Sequence, residues 1–258
     1  MTNVVKLEGV TLPGSGYPNI SSFAEIYLSV TDGLLGLYSI RGSINASLKN
    51  YAEGGADMTV IGSPTMSDDG AICNYANCFD TRIPAQEAFT FIALAKPNLP
   101  TSSSNYCMAI SNYFQPGGAG NSGDSIAFAY NGTSPRFRCY AQNGASVVSQ
   151  ADAGIASFSE SEVAFFAGMA SQSDGNRLAF ARSGTLSIGN ATATTNRSIS
   201  GAGTILIGGH RGLPTSYPAF GKGIYAAAIY GRAVTNSELT TIYSDMKTYA
   251  ERRGINTL

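Results

Sequence analysis

A single helix closes a chain that otherwise reads as strands and turns. Thr235 and Glu238 stand three residues apart, the spacing of a capping box, in which a hydroxyl takes an orphan amide and a carboxylate reaches back. Leu239, Ile242, Tyr243, Met246 and Tyr249 then recur at three- and four-residue steps, so they share one face. Lys247, Arg252 and Arg253 lie toward the end, where cations complement the helix dipole, and Gly254 is the expected stop. A lone amphipathic helix needs a surface to cover its stripe. The apolar runs just before it, Ile205 to Gly209 and Gly221 to Tyr230, read as the strands that provide one.

The rest of the chain carries the same message. Its 258 residues suffice for one large β domain or two small ones. Charged residues are only 13% and glycines number 30, with Ser, Thr and Asn filling the polar positions, which suits short strands joined by tight turns. Strand signals begin at Leu34 to Ile40. Ala88 to Lys96 is apolar on both faces and closed by Pro97, as a central strand would be. Tyr106 to Tyr113 follows. Ser125 to Tyr130, the Asn131-Gly132 turn and Arg136 to Ala141 read as a hairpin. Glu162 to Ser171 turns through Ser173 to Asn176 into Arg177 to Ser183, with Leu178 and Phe180 on one face. A strand-and-turn unit roughly every fifteen residues is the rhythm of an all-β, two-sheet antiparallel sandwich. Residues 1–32 stand apart. Leu12 to Pro18 is turn-rich, Phe23 to Val30 is expected to form one strand, and the segment reads as an arm or docking element beside a domain spanning 33–258.

Composition excludes several functions. Net charge is −1 with no run of Lys or Arg, so nucleic acid is not an expected partner. The start, Met1 to Glu8, lacks the basic and apolar regions of a signal peptide, and no stretch approaches the roughly 18–20 apolar residues of a membrane helix. Synthesis in the cytosol without membrane insertion is the expectation. Cys73, Cys78, Cys107 and Cys139 offer one short spacing and no nearby histidine, which points to reduced, mostly buried thiols and not to zinc. Without a secretory signal, the sequons at Asn19, Asn45, Asn131, Asn190 and Asn196 read as accidents of composition.

Three phrases resemble a known family. Phe89 to Pro97, Phe165 to Gly184 with Asn176-Arg177-Leu178 at its turn, and Ile205 to Leu239 with the close Ile229-Tyr230-Gly231-Arg232-Ala233 are similar to concanavalin A-like lectin/glucanase domains of the laminin-G-like kind. The resemblance covers Leu34 to Gly254. It implies a jelly-roll sandwich of two curved antiparallel sheets with one short C-terminal helix. Domains of this kind without a signal peptide resemble bacteriophage tail or receptor-binding proteins. The implied function is a non-enzymatic virion structural module, made in the host cytoplasm and homo-oligomeric in the virion. Its implied partners are a host surface glycan and neighbouring virion proteins, the latter through residues 1–32. A capsid decoration protein and a glycan hydrolase with an atypical site are the alternatives.

The candidate site residues follow from chemistry. Retaining glycoside hydrolysis needs two carboxyls about 5–5.5 Å apart. Glu160 and Glu162 lack an intervening acid and read as a turn entering a strand, so no catalytic residue is assigned. His210, the one histidine, lies in Gly208 to Pro214 with no nucleophile-elbow phrase nearby, and is expected in an exposed loop. Sugar recognition calls for flat rings ringed by polar groups, and the chain has no Trp. Tyr113, Phe114, His210, Arg211 and Tyr217 are the ligand-binding candidates, with Tyr106 and Tyr225 as further rings. No cofactor is expected. Calcium is the one ion the resemblance brings into view, with Asp68, Asp69, Asp80 and Asp174 as donors by chemistry, although Asp68, Asp69 and Asp174 read equally well as turn formers.

Overall fold

The run Phe89–Ala95 is a strand buried at every position. A strand covered on both faces requires a layer on each side. A computed structural model of the chain supplies both. It describes residues 25–255 apart from 68–69, 103–104, 115–122, 144–146, 195, 200, 213–216 and 218, and for 147–148 and 219–221 the backbone alone.

In chain order the described elements open with β1 (Leu34–Ser39), the one-turn helix α1 (Ile44–Ser47), β2 (Thr59–Ile61), β3 (Thr65–Ser67) and β4 (Gly70–Asn74). Next come β5 (Cys78–Pro84), β6 (Phe89–Ala95), β7 (Cys107–Ser111), β8 (Ser125–Tyr130) and β9 (Pro135–Asn143). The chain ends with β10 (Val147–Gly154), β11 (Ala164–Ser171), β12 (Gly175–Arg182), β13 (Thr185–Ile188), β14 (Thr204–Ile207), β15 (Ala219–Tyr230) and α2 (Asn236–Arg252). One sheet runs β13-β12-β11-β6-β15-β4-β3, with β1 also paired to β15; we call it sheet A. Sheet B runs β10-β9-β8-β7-β14-β5-β2. The strand pairs are antiparallel. This is the two-sheet antiparallel sandwich with one C-terminal helix that the pattern predicts.

Two apolar layers hold it. Between the sheets, Phe79, Phe89, Phe91, Phe128, Phe137 and Phe166 form a core fed by alternate residues of the facing strands. Gly168 on β11 lets the sheets close up, because a Cβ there would collide with Ile126 and Cys139 of sheet B. The opposite face of the same strands, with Ile92, Leu94, Phe165 and Met169, meets Leu239, Ile242, Met246 and Tyr249 of α2. Thus β6 and β11 are apolar on both faces because both faces are covered. The four cysteines are free and buried, and burial pushes the thiols of Cys78 and Cys107 up to about 12.

The helix ends follow the sequence. Thr235 accepts from the Glu238 amide at 3.2 Å, and Glu238 accepts from the Thr235 amide at 2.8 Å. Arg232 adds a fork to the same carboxylate at 2.9 and 2.7 Å, which with the cap holds Glu238 down at about 2. Gly254 takes the left-handed conformation, φ 66°, that stops the helix. One expectation is corrected. Residues 25–30, the described part of the predicted strand from Phe23 to Val30, join neither sheet. They lie across the helix layer, with Ile26 and Leu28 buried in it and the Ser29 amide donating to Asp245 of α2 at 2.6 Å. Residues 1–24 of the predicted arm lie outside the described residues.

Candidate ligand-binding face

On β9, Phe137, Cys139 and Ala141 point into the inter-sheet core. Strand alternation therefore sends Arg136, Arg138, Tyr140 and Gln142 to the outer face of sheet B. Next to β9, β8 turns only the small Ala127 outward at its centre, which leaves room for rings. Met108, Tyr113 and Ala127 form a small buried cluster there, with half-buried Tyr140 and Tyr217 packed against it.

The rings converge. The Tyr217 centroid lies 5.5 Å from both Tyr113 and Tyr106. His210 meets Tyr113 edge-on at 5.5 Å, with Tyr217 at 6.2 Å and Tyr75 at 6.1 Å. Tyr75 and the half-buried Tyr106, Tyr140 and Tyr217 reach solvent. Tyr217 enters the cluster from a left-handed backbone, φ 54°, a conformation that costs a bulky residue about 1–3 kcal/mol and tends to mark functional positions. Burial, then the neighbouring Tyr140, pushes its phenol far above the usual range. It is a neutral ring at physiological pH.

A charged group adjoins the rings. Asp152 on β10 lies opposite Arg138 in register. It accepts from Arg138 Nε at 2.7 Å, from Gln150 at 3.2 Å, and pairs with Arg136. Arg138 Nη1 donates to the Tyr140 hydroxyl at 3.1 Å, and that hydroxyl is 3.5 Å from the hydroxyl of Tyr217. Burial opposes the charge of Arg138, but Tyr140 and Asp152 outweigh it and raise the pKa.

The structure thus brings together three of the five predicted residues, Tyr113, His210 and Tyr217. His210 corrects the expectation of an exposed loop: it is 4% exposed. Its Nδ1 accepts from the Gly212 amide at 2.9 Å, so the proton sits on Nε2 and is donated to the Tyr217 carbonyl at 2.8 Å. That histidine braces the loop carrying Tyr217. Phe114 and Arg211 pair by a parallel bridge, one residue out of phase with Tyr113 and His210. Their side chains run instead toward β14 and β5: Phe114 lies against Gly201 just before β14, and Arg211 binds Thr204 of β14 and, at 2.9 Å, Asp80 of β5. Tyr225 faces the helix layer at 4% exposure, so it is no ring for a ligand.

Glu160, Asp80 and Asp174 are engaged elsewhere, while Glu162 keeps one buried carboxylate oxygen without a hydrogen-bond partner. Glu160 accepts from Lys222 at 2.7 Å and the Leu99 amide at 3.0 Å. Burial alone would raise its pKa, but these partners lower it, the reverse of what a general acid needs. Asp80 is held by Arg211 and the Arg82 amide, and Asp174 by Ser171 and Ser173. Asp68 and Asp69 lie outside the described residues. Among the described residues no three His, Cys, Asp or Glu side chains group together.

Sequence reasoning missed Arg136, Arg138, Tyr140 and Asp152. The alternation on β9 was a usable signal for the first three. It also missed a buried pair with no sequence signal. Arg197 binds Asp124 at 2.7 Å with both side chains 1% exposed, and donates to the carbonyls of Gln86, Glu87 and Gln142. Its guanidinium lies 5.4 Å from the ring centre of Phe89. Burial pushes the Asp124 carboxyl up, and Arg197 pulls against it.

No protein-family model and no curated protein matches this chain. Solved structures are similar in fold. The sialidase of Trypanosoma rangeli in complex with sialic acid superposes with a TM-score of 0.58 at 15% identity, over 85% of this chain and 34% of that one. The same sialidase with 2,3-difluorosialic acid as a covalent intermediate gives 0.59 at 14%, over 85% and 34%. The binding domain of botulinum neurotoxin DC in complex with SialylT gives 0.51 at 11%, over 84% and 52%. The chain therefore spans about a third of the sialidase and about half of the toxin domain. At such identity the likeness is one of fold, and the β-sandwich is what it shares with the family resemblance read from the sequence.

Proposed function

We propose that this chain is a non-enzymatic carbohydrate-binding module whose ligand lies on the outer face of sheet B. One observation carries the proposal: Tyr106, Tyr140 and Tyr217 sit together on a sheet face beside a fixed Arg-Asp-Arg group. A sugar has apolar C–H faces and a polar rim. Convergent rings with a few oriented polar groups match both. The glycan ligands in two of the fold neighbours support this reading. The engagement of Glu160, Asp80 and Asp174 by cations, hydroxyls and amides supports binding over hydrolysis. So does the coverage of only a third of the sialidase.

The finer proposal is a host-adhesion protein of a phage tail, assembled as a homo-oligomer and docked to the virion through residues 1–32. Low charge, abundant Gly, Ser and Thr, and the laminin-G-like resemblance support it. A glycan array with the purified chain tests the core proposal. Binding to one or more surface polysaccharides is expected, weakened at least about tenfold by Tyr106→Ala or Tyr217→Ala with the fold retained by circular dichroism. Absence of binding to every glycan on the array and to the host's own polysaccharide would sink it.

A further inference from the structure

Resting on that reading, we infer that the sheet-B face selects sugars that carry a carboxylate. Arg136 and Arg138 stand two apart on β9, so their side chains leave the same face about 7 Å apart. Like charges at that spacing repel unless something between them is negative. Asp152 is placed there, and it serves both guanidiniums. One carboxylate against two guanidiniums leaves this patch one unit positive, on a chain whose net charge is −1.

The geometry of the excess charge favours a carboxylate. A guanidinium has five N–H donors in a planar fork. Asp152 takes Nε of each arginine and Nη2 of Arg136, and Tyr140 takes Nη1 of Arg138. Donors remain on both arginines for a second carboxylate, which a planar fork can bind with two parallel bonds. The side chains are 25% and 14% exposed, so they are reachable yet less screened than charges in open solvent. Asp152, itself bonded by Gln150, holds both arginines in place, so little side-chain entropy is lost when a ligand arrives.

Distance then links charge to rings. Tyr140 is two residues beyond Arg138 on the same face, about 7 Å along the strand, and it touches Tyr217. A single acidic sugar spans that interval, with its carboxylate on the arginines and its ring against the tyrosines. An ordinary cross-strand ion pair needs only one arginine; here a second is held beside it, next to an aromatic cluster.

Calorimetric titration of the whole chain with 3′-sialyllactose, a glucuronic acid-terminated disaccharide and neutral lactose tests this. At least one acidic probe is expected to bind at least about tenfold tighter than lactose, with the preference shrinking as salt rises from about 50 to about 200 mM. Arg138→Gln is expected to abolish the preference, and Arg136→Gln provides the same readout if Arg138→Gln does not fold. Tyr217→Ala is expected to weaken acidic and neutral probes alike. Lactose bound as tightly as both acidic probes overturns the charge inference and leaves the glycan reading intact. No binding of any of the three, together with a blank glycan array, overturns both.

Discussion

The two sheets turn outer faces of opposite kind to their surroundings. On sheet A, β6 and β11 are buried at every position, because Ile92, Leu94, Phe165 and Met169 lie under α2. On sheet B, β9 alternates buried and half-buried positions, and its outward row Arg136, Arg138, Tyr140 carries charge and phenol. The strands have similar backbones and share one inter-sheet core. What differs is the third layer. Where a helix covers a sheet, both strand faces must be apolar. Where none does, one face is free to carry polar chemistry, and that freedom is what a binding site needs.

The comparison breaks most severely where the sheets are tied together. Arg197 rests on Phe89 of sheet A and holds Asp124, just before β8, and the Gln142 carbonyl of sheet B. Arg197→Met leaves a buried carboxylate unpaired and is expected to cost about 3–5 kcal/mol in urea unfolding; a cost below about 1 kcal/mol would mean that the pair is not sealed from water. Next in size, Ile242→Ala opens a cavity between α2 and sheet A and is expected to cost about 2–5 kcal/mol, with sugar binding on the far face unchanged once folded.

Smaller effects sharpen the same contrast. Thr235→Ala removes one arm of the capping box and is expected to cost about 1 kcal/mol by thermal unfolding. The other arm has a pH signature. The folded pKa of Glu238 is depressed, from 4.5 to about 2, so its stabilisation is fully present above about 4.5 and is lost as pH falls toward about 2. Acid titration of the native chain against Glu238→Gln should show that part of the slope vanish in the variant. The smallest expected change in stability lies on sheet B. Arg136→Gln breaks a partly exposed ion pair and should shift stability by less than about 1 kcal/mol while altering ligand preference. A large loss of stability would reassign the Arg-Asp-Arg group to the scaffold.

Much of the scaffold was legible because its signals are local. The capping box, the stripe from Leu239 to Tyr249, the doubly apolar Phe89–Ala95 and the β8-β9 hairpin all lie where expected. Strand β10, reading Val-Val-Ser-Gln-Ala-Asp-Ala-Gly, is not legible in the sequence, since its polar and small residues give a weak strand signal and only pairing with β9 makes it one. The site was legible in part. Tyr113 and Tyr217 read as rings from the sequence, but nothing local says that they meet, 104 residues apart in sequence, at 5.5 Å. The burial of His210 is not legible in the sequence, because loop composition says nothing about what closes over the loop.

The sequence by itself determined the strongly apolar strands, the capped helix and the need for two apolar layers, because hydrophobic period and capping are set by residues within a few positions of one another. Only the tertiary structure decided which sheet face α2 covers, which acid pairs with Arg197, and that Asp152 stands between two arginines. Those outcomes depend on strand order and register. Register is settled by the packing of the whole sandwich, since a slip of one residue would move Arg138 and Tyr140 from the open face into the core.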